Sequence, residues 1–448
     1  MMNMTEGNPL KLIASFALPL LLGNLLQQMY NVMDAVIVGR ILGPWALAGV
    51  GATSSVQFLV MGFCIGLCSG FAIPIAQFFG AGDINRLKRS LFHDAILCVI
   101  FSVLLTVAST FWCDEILHML QISAEIYDDA YTYLFIMFCG IPFTLLYNLL
   151  SGALRAVGDS KTPFLFLALS TVLNIVLDLV FILSFGMGVA GAALATVLAQ
   201  ALSGILCLIL ILKKMPVLVP NRRNCIFSLH ELWVMLLIGL PMGLQYSITA
   251  IGCMVMQAAN NALGSVYSSS FAAVTKIKQF SMCPFDALAT GVSVYCGQNL
   301  GAGKMDRIKT GVKRGILTGA LYGLFIGALI SIFGRELSAL FIGNDETAVL
   351  DAAAQFLLCI GTCYWMLGFL NVTRMSVQGL GFSGRAIFSG VAEMASRVII
   401  SIWIVPILGY PAICWDDQLA WVAGCFYIVP MCFHVIHKLE GQVSRKSA

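Results

Sequence analysis

The stretch Gly23-Asn-Leu-Leu-Gln-Gln-Met-Tyr-Asn-Val-Met-Asp34 decides how this chain is read. It lies inside an apolar run from Leu12 to Val38, and its polar residues Asn24, Gln27, Asn31 and Asp34 are spaced 3, 4 and 3 apart. On a helix that spacing lines them along one face. The stretch therefore reads as a membrane-spanning helix whose polar stripe ends in a carboxylate. A carboxylate at that depth costs about 2.5–3.5 kcal/mol on insertion scales, so such groups face a watery cavity or an ion rather than lipid. The plain alternative is a carboxylate at the outer end of the helix, reaching for the headgroups. Against it, the chain stays apolar for several residues past Asp34.

The surroundings agree with a membrane helix. Of 448 residues, 59% are hydrophobic and 10% charged, where a soluble domain carries about 25% charged residues. Twelve apolar segments are each long enough to cross about 30 Å of hydrocarbon. They run over 12–38, 46–79, 91–113, 128–150, 163–185, 189–212, 232–259, 269–299, 313–333, 349–373, 386–408 and 417–437. The runs are too long and too uniform for barrel strands. The first is expected to stay in place rather than be cleaved as a signal peptide, because it is long, carries Pro19 and has a polar stripe. The 15 cysteines fall mostly in apolar segments and read as small buried apolar residues.

Twelve spans put both termini on one side, taken as the cytoplasm. On that side fall 20 of the 25 Lys and Arg residues, among them Arg86, Lys213, Arg223, Lys304, Arg374, Arg385, Arg445 and Lys446. Outside lie only Arg40 and Arg335, while Lys276, Lys278 and Arg397 fall within spans. This is the positive-inside asymmetry of a plasma-membrane protein. The outer loops are read as acidic, with Asp114, Glu115, Asp345, Asp416 and Asp417.

The halves repeat. Gln77-Phe-Phe-Gly-Ala-Gly-Asp-Ile-Asn-Arg-Leu-Lys88 aligns with Gln298-Asn-Leu-Gly-Ala-Gly-Lys-Met-Asp-Arg-Ile-Lys309 at an offset of 221; Pro19 pairs with Pro241 at 222, and Gly158 with Gly381 at 223. Six spans per repeat give both halves the same orientation, with a substrate site expected between them near the midplane. The expected fold is an all-α polytopic membrane protein with twelve transmembrane helices. They form two six-helix lobes related by a pseudo-two-fold parallel repeat. The N-lobe is 1–212, a cytoplasmic linker 213–230, and the C-lobe 231–448. Gly80-Ala-Gly82 reads as a helix C-cap and tight turn, not a phosphate loop.

Few ionisable groups lie inside the spans. Asn174 and Asp178 are four apart and share a face with Thr171, all among apolar neighbours. Asp178 is thus a second intramembrane carboxylate in the half that holds Asp34. Thr196 and Gln200 repeat the four-residue spacing in the sixth span, and Asn148 sits with Tyr147 and Ser151 in the fourth. Two carboxylates with neutral oxygens are the makings of a proton site or a small hard-cation site, Na⁺ included. The plain alternative is unrelated polar residues packing helix to helix. The second half lacks the pair: at offset 222, Asp34 maps to Met256. It carries instead Gln245, Lys276, Lys278 and Asp286, and Glu393 with Arg397, four apart and read as a structural bridge. Asn31, Asn148, Gln245, Lys276 and Asp286 are candidates for a substrate cleft.

The order Pro19…Asn24…Gln27…Tyr-Asn-Val-Met-Asp34…Val-Gly-Arg40…Gly43 resembles the first helix of the multidrug and toxic compound extrusion (MATE) transporters. The paired Gln-x-x-Gly-Ala-Gly motifs and Ala-Val-Gly-Asp-Ser160 are similar to that family too, and the likeness runs from about residue 9 to 438. It implies a V-shaped pair of lobes that alternate between outward and inward states and export organic, often cationic, compounds against H⁺ or Na⁺. In the branch with an acidic pair in its N-lobe, the resemblance makes Asp34, Asn174 and Asp178 the cation site, with Gln27 and Thr196 beside them. Another branch uses a Glu in the seventh helix for Na⁺; here that stretch offers Gln245 and no acid. The implied partners are small organic substrates and the bilayer, with no cofactor and no nucleic acid, and the chain is expected to act as a monomer. The rivals are a flippase for lipid-linked saccharides, which needs several cations in its cleft, and an intramembrane enzyme. The five His residues lie near span ends or in loops, and Asp416-Asp417 lacks the further acid of a diphosphate motif, so an enzyme is not expected.

Overall fold

The computed structural model describes residues 1–447 apart from Gln121 and Asn344, and helices make up almost all of it. Its long helices, in chain order, are α1 (Pro9–Leu42), α2 (Pro44–Gly80), α3 (Ile84–Phe111), α4 (Tyr127–Cys139 and Ile141–Ala156), α5 (Lys161–Ser184), α6 (Gly188–Lys214), α7 (Leu229–Asn261), α8 (Ser265–Gly301), α9 (Met305–Ile332), α10 (Thr347–Cys363 and Trp365–Gly379), α11 (Ser383–Leu408) and α12 (Tyr410–Val443). Among the described residues nine helices are long and apolar enough to cross a membrane, and the two bent pairs, α4 and α10, raise this to eleven. The twelfth is α8, 37 residues long. It fails on polarity and not on length, because Lys276, Lys278 and Asp286 interrupt it. Each of the twelve segments expected from hydropathy thus has its helix.

The repeat is visible in the helix breaks. Each half bends its fourth helix, by 46° in α4 and 57° in α10. The Gly-Ala-Gly turns end α2 and α8 alike, with Gly82 at φ +71° and Gly303 at φ +70°, where glycine pays no Cβ penalty. Asp83 then caps α3 by accepting the Arg86 N–H at 3.0 Å. Three helices carry a π-helical turn toward the C-terminal end, at Val38–Leu42, Val180–Ser184 and Ile400–Ile404.

The chain packs as two units. The first holds Met1–Asn3 and Leu22–Gly243; the second holds Met4–Leu21 and everything from Leu244 onward. This cut differs from one at the 213–230 linker. The chain passes between units inside α1, two residues after Pro19, and inside α7, two residues after Pro241. In the first unit the early part of α7 lies against α2: a Cβ on Gly70 would come within 2.5 Å of the Gly239 Cα. In the second, the early part of α1 lies against α8, where a Cβ on Gly291 would meet the Ile13 carbonyl at 3.3 Å. Gly70 and Gly291 are repeat partners at the offset of 221. In the second unit the fully buried Met4 is also held: its N–H donates to Gln298 Oε1 at 2.9 Å, and its carbonyl accepts from Asn299 Nδ2 and Arg307 Nη2, each at 3.1 Å.

Two charge assignments are corrected. Asp416 and Asp417 are not in an outer loop; α12 begins at Tyr410, so they lie inside it and are buried. Arg374 is not in a cytoplasmic loop; it is buried within α10. The side chains of Arg445 and Lys446 lie outside the described residues.

A seam of glycines ties α9 to α10. Gly319, Gly323 and Gly327 recur every four residues, the small-xxx-small pattern of close helix pairs in membranes. A Cβ on Gly323 would stand 2.5 Å from the Trp365 Cα and 2.7 Å from the Tyr364 carbonyl oxygen, both rigid backbone. Gly323→Val is therefore expected to destabilise the protein by about 1–3 kcal/mol, the range for overpacking. Thermal unfolding in detergent should show the loss, with a smaller one for Gly323→Ala.

Candidate functional site

Three helices of the first unit converge on one polar cluster. From α5, whose other buried residues are Pro163 and Ile182, the buried Asn174 and Asp178 project on one face, one turn apart. From α6 comes the buried Thr196, and from α1 come Tyr30 and the half-buried Asp34. Asn174 Nδ2 donates to Thr196 Oγ1 at 3.1 Å, and Thr196 Oγ1 shares a hydrogen bond of 2.8 Å with the Tyr30 hydroxyl. The carboxyl groups of Asp34 and Asp178 come within hydrogen-bonding reach of each other.

The electrostatics of the cluster are unbalanced. Asp34 Oδ1, Asp178 Oδ1 and Oδ2, and Asn174 Oδ1 are all buried, and none has a hydrogen-bond donor. Two bare carboxylates facing each other are both acceptors. They form a bond only when a proton lies between them, or a contact only when a metal cation does. Two unit charges about 4 Å apart at an effective dielectric of 20 repel by about 4 kcal/mol. The oxygen set suits H⁺ or a small hard cation such as Na⁺.

The structure brings together Asp34, Asn174, Asp178 and Thr196. It leaves Gln27 out: that side chain is exposed and takes no part in the cluster's bonds. The residue one turn before Asp34 is Tyr30, and its long side chain supplies the α1 contact to Thr196. Sequence reasoning passed over Tyr30 because it counted only amides and acids along the stripe. It also passed over Tyr133 of α4, which lies near both carboxylates and bonds to Gln57 of α2. An aromatic hydroxyl among apolar residues was the available signal. Asp94 of α3 was missed as well. It is fully buried near Cys98, and neither oxygen has a partner.

The expected cleft residues scatter. Asn31 is exposed. Asn148 Nδ2 donates back to the Thr144 carbonyl of its own helix at 2.8 Å. Gln245 is buried and accepts from Gln378 Nε2 at 2.5 Å, so its amide is committed inside the second unit rather than free for a ligand. Lys276 is half-buried and lines a recess with Phe341 and Glu346. Asp286 is exposed with Arg374 as its charged neighbour. The Glu393–Arg397 bridge is corrected. Glu393 pairs instead with Arg374 at 3.1 Å, and Arg397 Nη2 donates to Asp417 Oδ1 at 3.1 Å. Asp417 Oδ2 also accepts from Lys278 Nζ at 2.6 Å. The bridge was misread because the buried acids of α12 were taken as outer-loop residues.

Comparison with known proteins now decides the family. The model of the MatE family matches residues 19–180 and again 241–404, one match beginning at each of the paired prolines Pro19 and Pro241. The chain belongs to the MatE family. Members of this family are transporters and not enzymes. A probable multidrug resistance protein of Bacillus subtilis is 33% identical over 407 residues, covering 91% of this chain and 88% of the relative. The multidrug export protein MepA of Staphylococcus saprophyticus is 25% identical over 417 residues, covering 90% and 89%. A multidrug resistance MATE family transporter solved in an outward-facing conformation superposes with a TM-score of 0.90 over 98% of both chains at 22% identity, which shows a shared fold. The MatE chain is thus a multi-pass membrane protein with the twelve-helix architecture.

The Thr196 hydroxyl is the hub of the neutral part of the cluster. Thr196→Val keeps the shape and strands both Asn174 Nδ2 and the Tyr30 hydroxyl. It is expected to lower stability by about 2 kcal/mol or more, the range for buried donors left unpaired, while Thr196→Ser stays close to the parent. Thermal unfolding of the purified protein separates the two.

Proposed function

We propose that this MatE transporter exports amphiphilic organic, often cationic, compounds in exchange for H⁺ or Na⁺ by alternating access. Asp34 and Asp178, aided by Asn174 and Thr196, form the exchangeable cation site. One observation carries the reading: four buried acceptor oxygens from α1 and α5 with no donor among them. A cation bound there screens the two carboxylates. Its departure leaves them repelling across the α1–α5 contact, and α1 is the helix that already passes between packing units just after Pro19. A proline inside a helix removes a backbone hydrogen bond and makes a natural bending point. Cation occupancy thereby biases the equilibrium between the two access states, and a ligand shifts such an equilibrium only by its differential affinity for them. The repulsion estimated above is large enough for that shift.

In this reading the functional lobes are 1–212 and 231–448, joined by the linker 213–230, with both termini in the cytoplasm and the monomer as the working form. The names of the relatives support multidrug compounds as substrates. A flippase reading needs free cations in a cleft, whereas Lys278 and Arg397 are committed to Asp417.

Export of ethidium from proteoliposomes tests the proposal, under an imposed pH gradient in one arm and an imposed Na⁺ gradient in the other. Asp34→Asn and Asp178→Asn are each expected to cut gradient-driven export by about tenfold or more, the effect of about 1.4 kcal/mol of coupling. Undiminished coupled export in both variants removes the site. The gradient that drives the wild type identifies the ion.

A further inference from the structure

The second unit answers the first unit's site in a different chemical form. At the offset of 223 that aligns Gly158 with Gly381, Pro163, Asn174, Asp178 and Ile182 fall on Ala386, Arg397, Ser401 and Val405. All eight are buried, so α5 and α11 turn the same face inward. Where the first unit has the acceptor Asn174, the second has the cation Arg397. At offset 222, Tyr30 falls on Gly252 and Asp34 on Met256. A Cβ on Gly252 would lie 3.5 Å from Arg397 Cδ, so the space that a tyrosine fills in the first unit is filled here by the arginine.

The acids have moved too. Neither α7 nor α11 supplies one at the equivalents of Asp34 and Asp178. Asp416 and Asp417 come instead from α12, the counterpart of α6, and both are buried. Asp417 accepts from Arg397 and Lys278. Asp416 accepts from the Ser401 hydroxyl at 3.1 Å and has Arg397, Lys278 and Asp417 as its near charges. Of the other charged groups facing this place, Arg374 of α10 and Glu393 of α11 are paired with each other, and Asp286 of α8 has Arg374 as its charged neighbour. The first unit thus gathers two acids and no base. The second gathers two acids and two bases, so its carboxylates face tethered positive charge although Asp416 Oδ1 and Arg397 Nε and Nη1 have no hydrogen-bond partner of their own.

We propose that Arg397 and Lys278 are tethered cations that permanently fill the second unit's counterpart of the cation site, so that each chain loads cation in its first unit only. The inference rests on the reading of the first-unit site given above. A buried carboxylate pair must be matched by positive charge. A side chain that supplies the charge cannot leave, whereas H⁺ or Na⁺ can. Removing one tethered base should expose Asp416 and Asp417 to the same need that Asp34 and Asp178 have, and turn a structural cluster into a loading site.

The test is thermal unfolding of the purified full chain in detergent, with NaCl against choline chloride and with stepwise acidification. The wild type is expected to gain stability with Na⁺ or acid, and the Asp34→Asn/Asp178→Asn double variant to lose that dependence. Adding Arg397→Asn, the first unit's own residue, should restore it. Adding Lys278→Gln to the double variant instead should restore it with Arg397 in place. Recovery of folded triple variant only with Na⁺ or acid present is the same gain in another form. A double variant still stabilised by cation overturns the proposal, because the second unit would then be taking one up. So does a pair of triple variants indifferent to both Na⁺ and pH. A wild type indifferent to cation, with triple variants that respond, would sink the first-unit reading and leave the tethered-base inference standing.

Discussion

The structure turns on a shortage of positive charge. Asp34 and Asp178 meet from α1 and α5 in surroundings that offer hydroxyls and an amide but no Lys, Arg or His. Everything near them is arranged to hold the acceptors in place rather than to satisfy them. Thr196 spends its hydroxyl on Asn174 and Tyr30, which orients the amide with its oxygen unpaired. A buried unpaired acceptor calls for an explanation, and an ion or water taken from outside the chain is one. That constraint joins the fold to transport. The completing partner must come and go, and the helix carrying one of the acids is shared between the two packing units.

Much of this was legible in the sequence. Hydropathy placed twelve spans because a bilayer forces backbone groups to pair within each segment and so leaves long uniform runs. The repeat was legible because turns demand glycine and helix bends tolerate proline, whatever the surrounding side chains do. The two acids could be found because a carboxylate among Leu, Val and Ile has few innocent explanations. What could not be read was the partner of each buried charge. Glu393 and Arg397 look like a pair at helical spacing, yet each reaches across to another helix. Such choices are made by tertiary packing, which local spacing does not encode. Gln27 failed for a related reason: a stripe drifts around a helix, and the side chain that reached the site was the longer Tyr30.

The comparison of the two halves shows how a duplicated scaffold diverges. The backbone features survived, including the bent fourth helices, the Gly-Ala-Gly turns and the close glycine contacts of α2 and α8. The buried charged residues differ. The acids stand in α1 and α5 of one half and in α12 of the other, Gly252 pairs with Tyr30, and Arg397 pairs with Asn174. Each change is compensated by another within reach of it, as expected where the desolvation penalty forbids any single uncompensated step.

The seam between α9 and α10 carries one more consequence. There the backbones touch without intervening side chains, at Gly319 against Gly368, Gly323 against Trp365 and Gly327 against Gly361. Surfaces that slide past each other do so by swapping rotamers, and a seam of bare backbone has none to swap. These two helices are welded, and a cycle of movement must carry them as a single rigid plate.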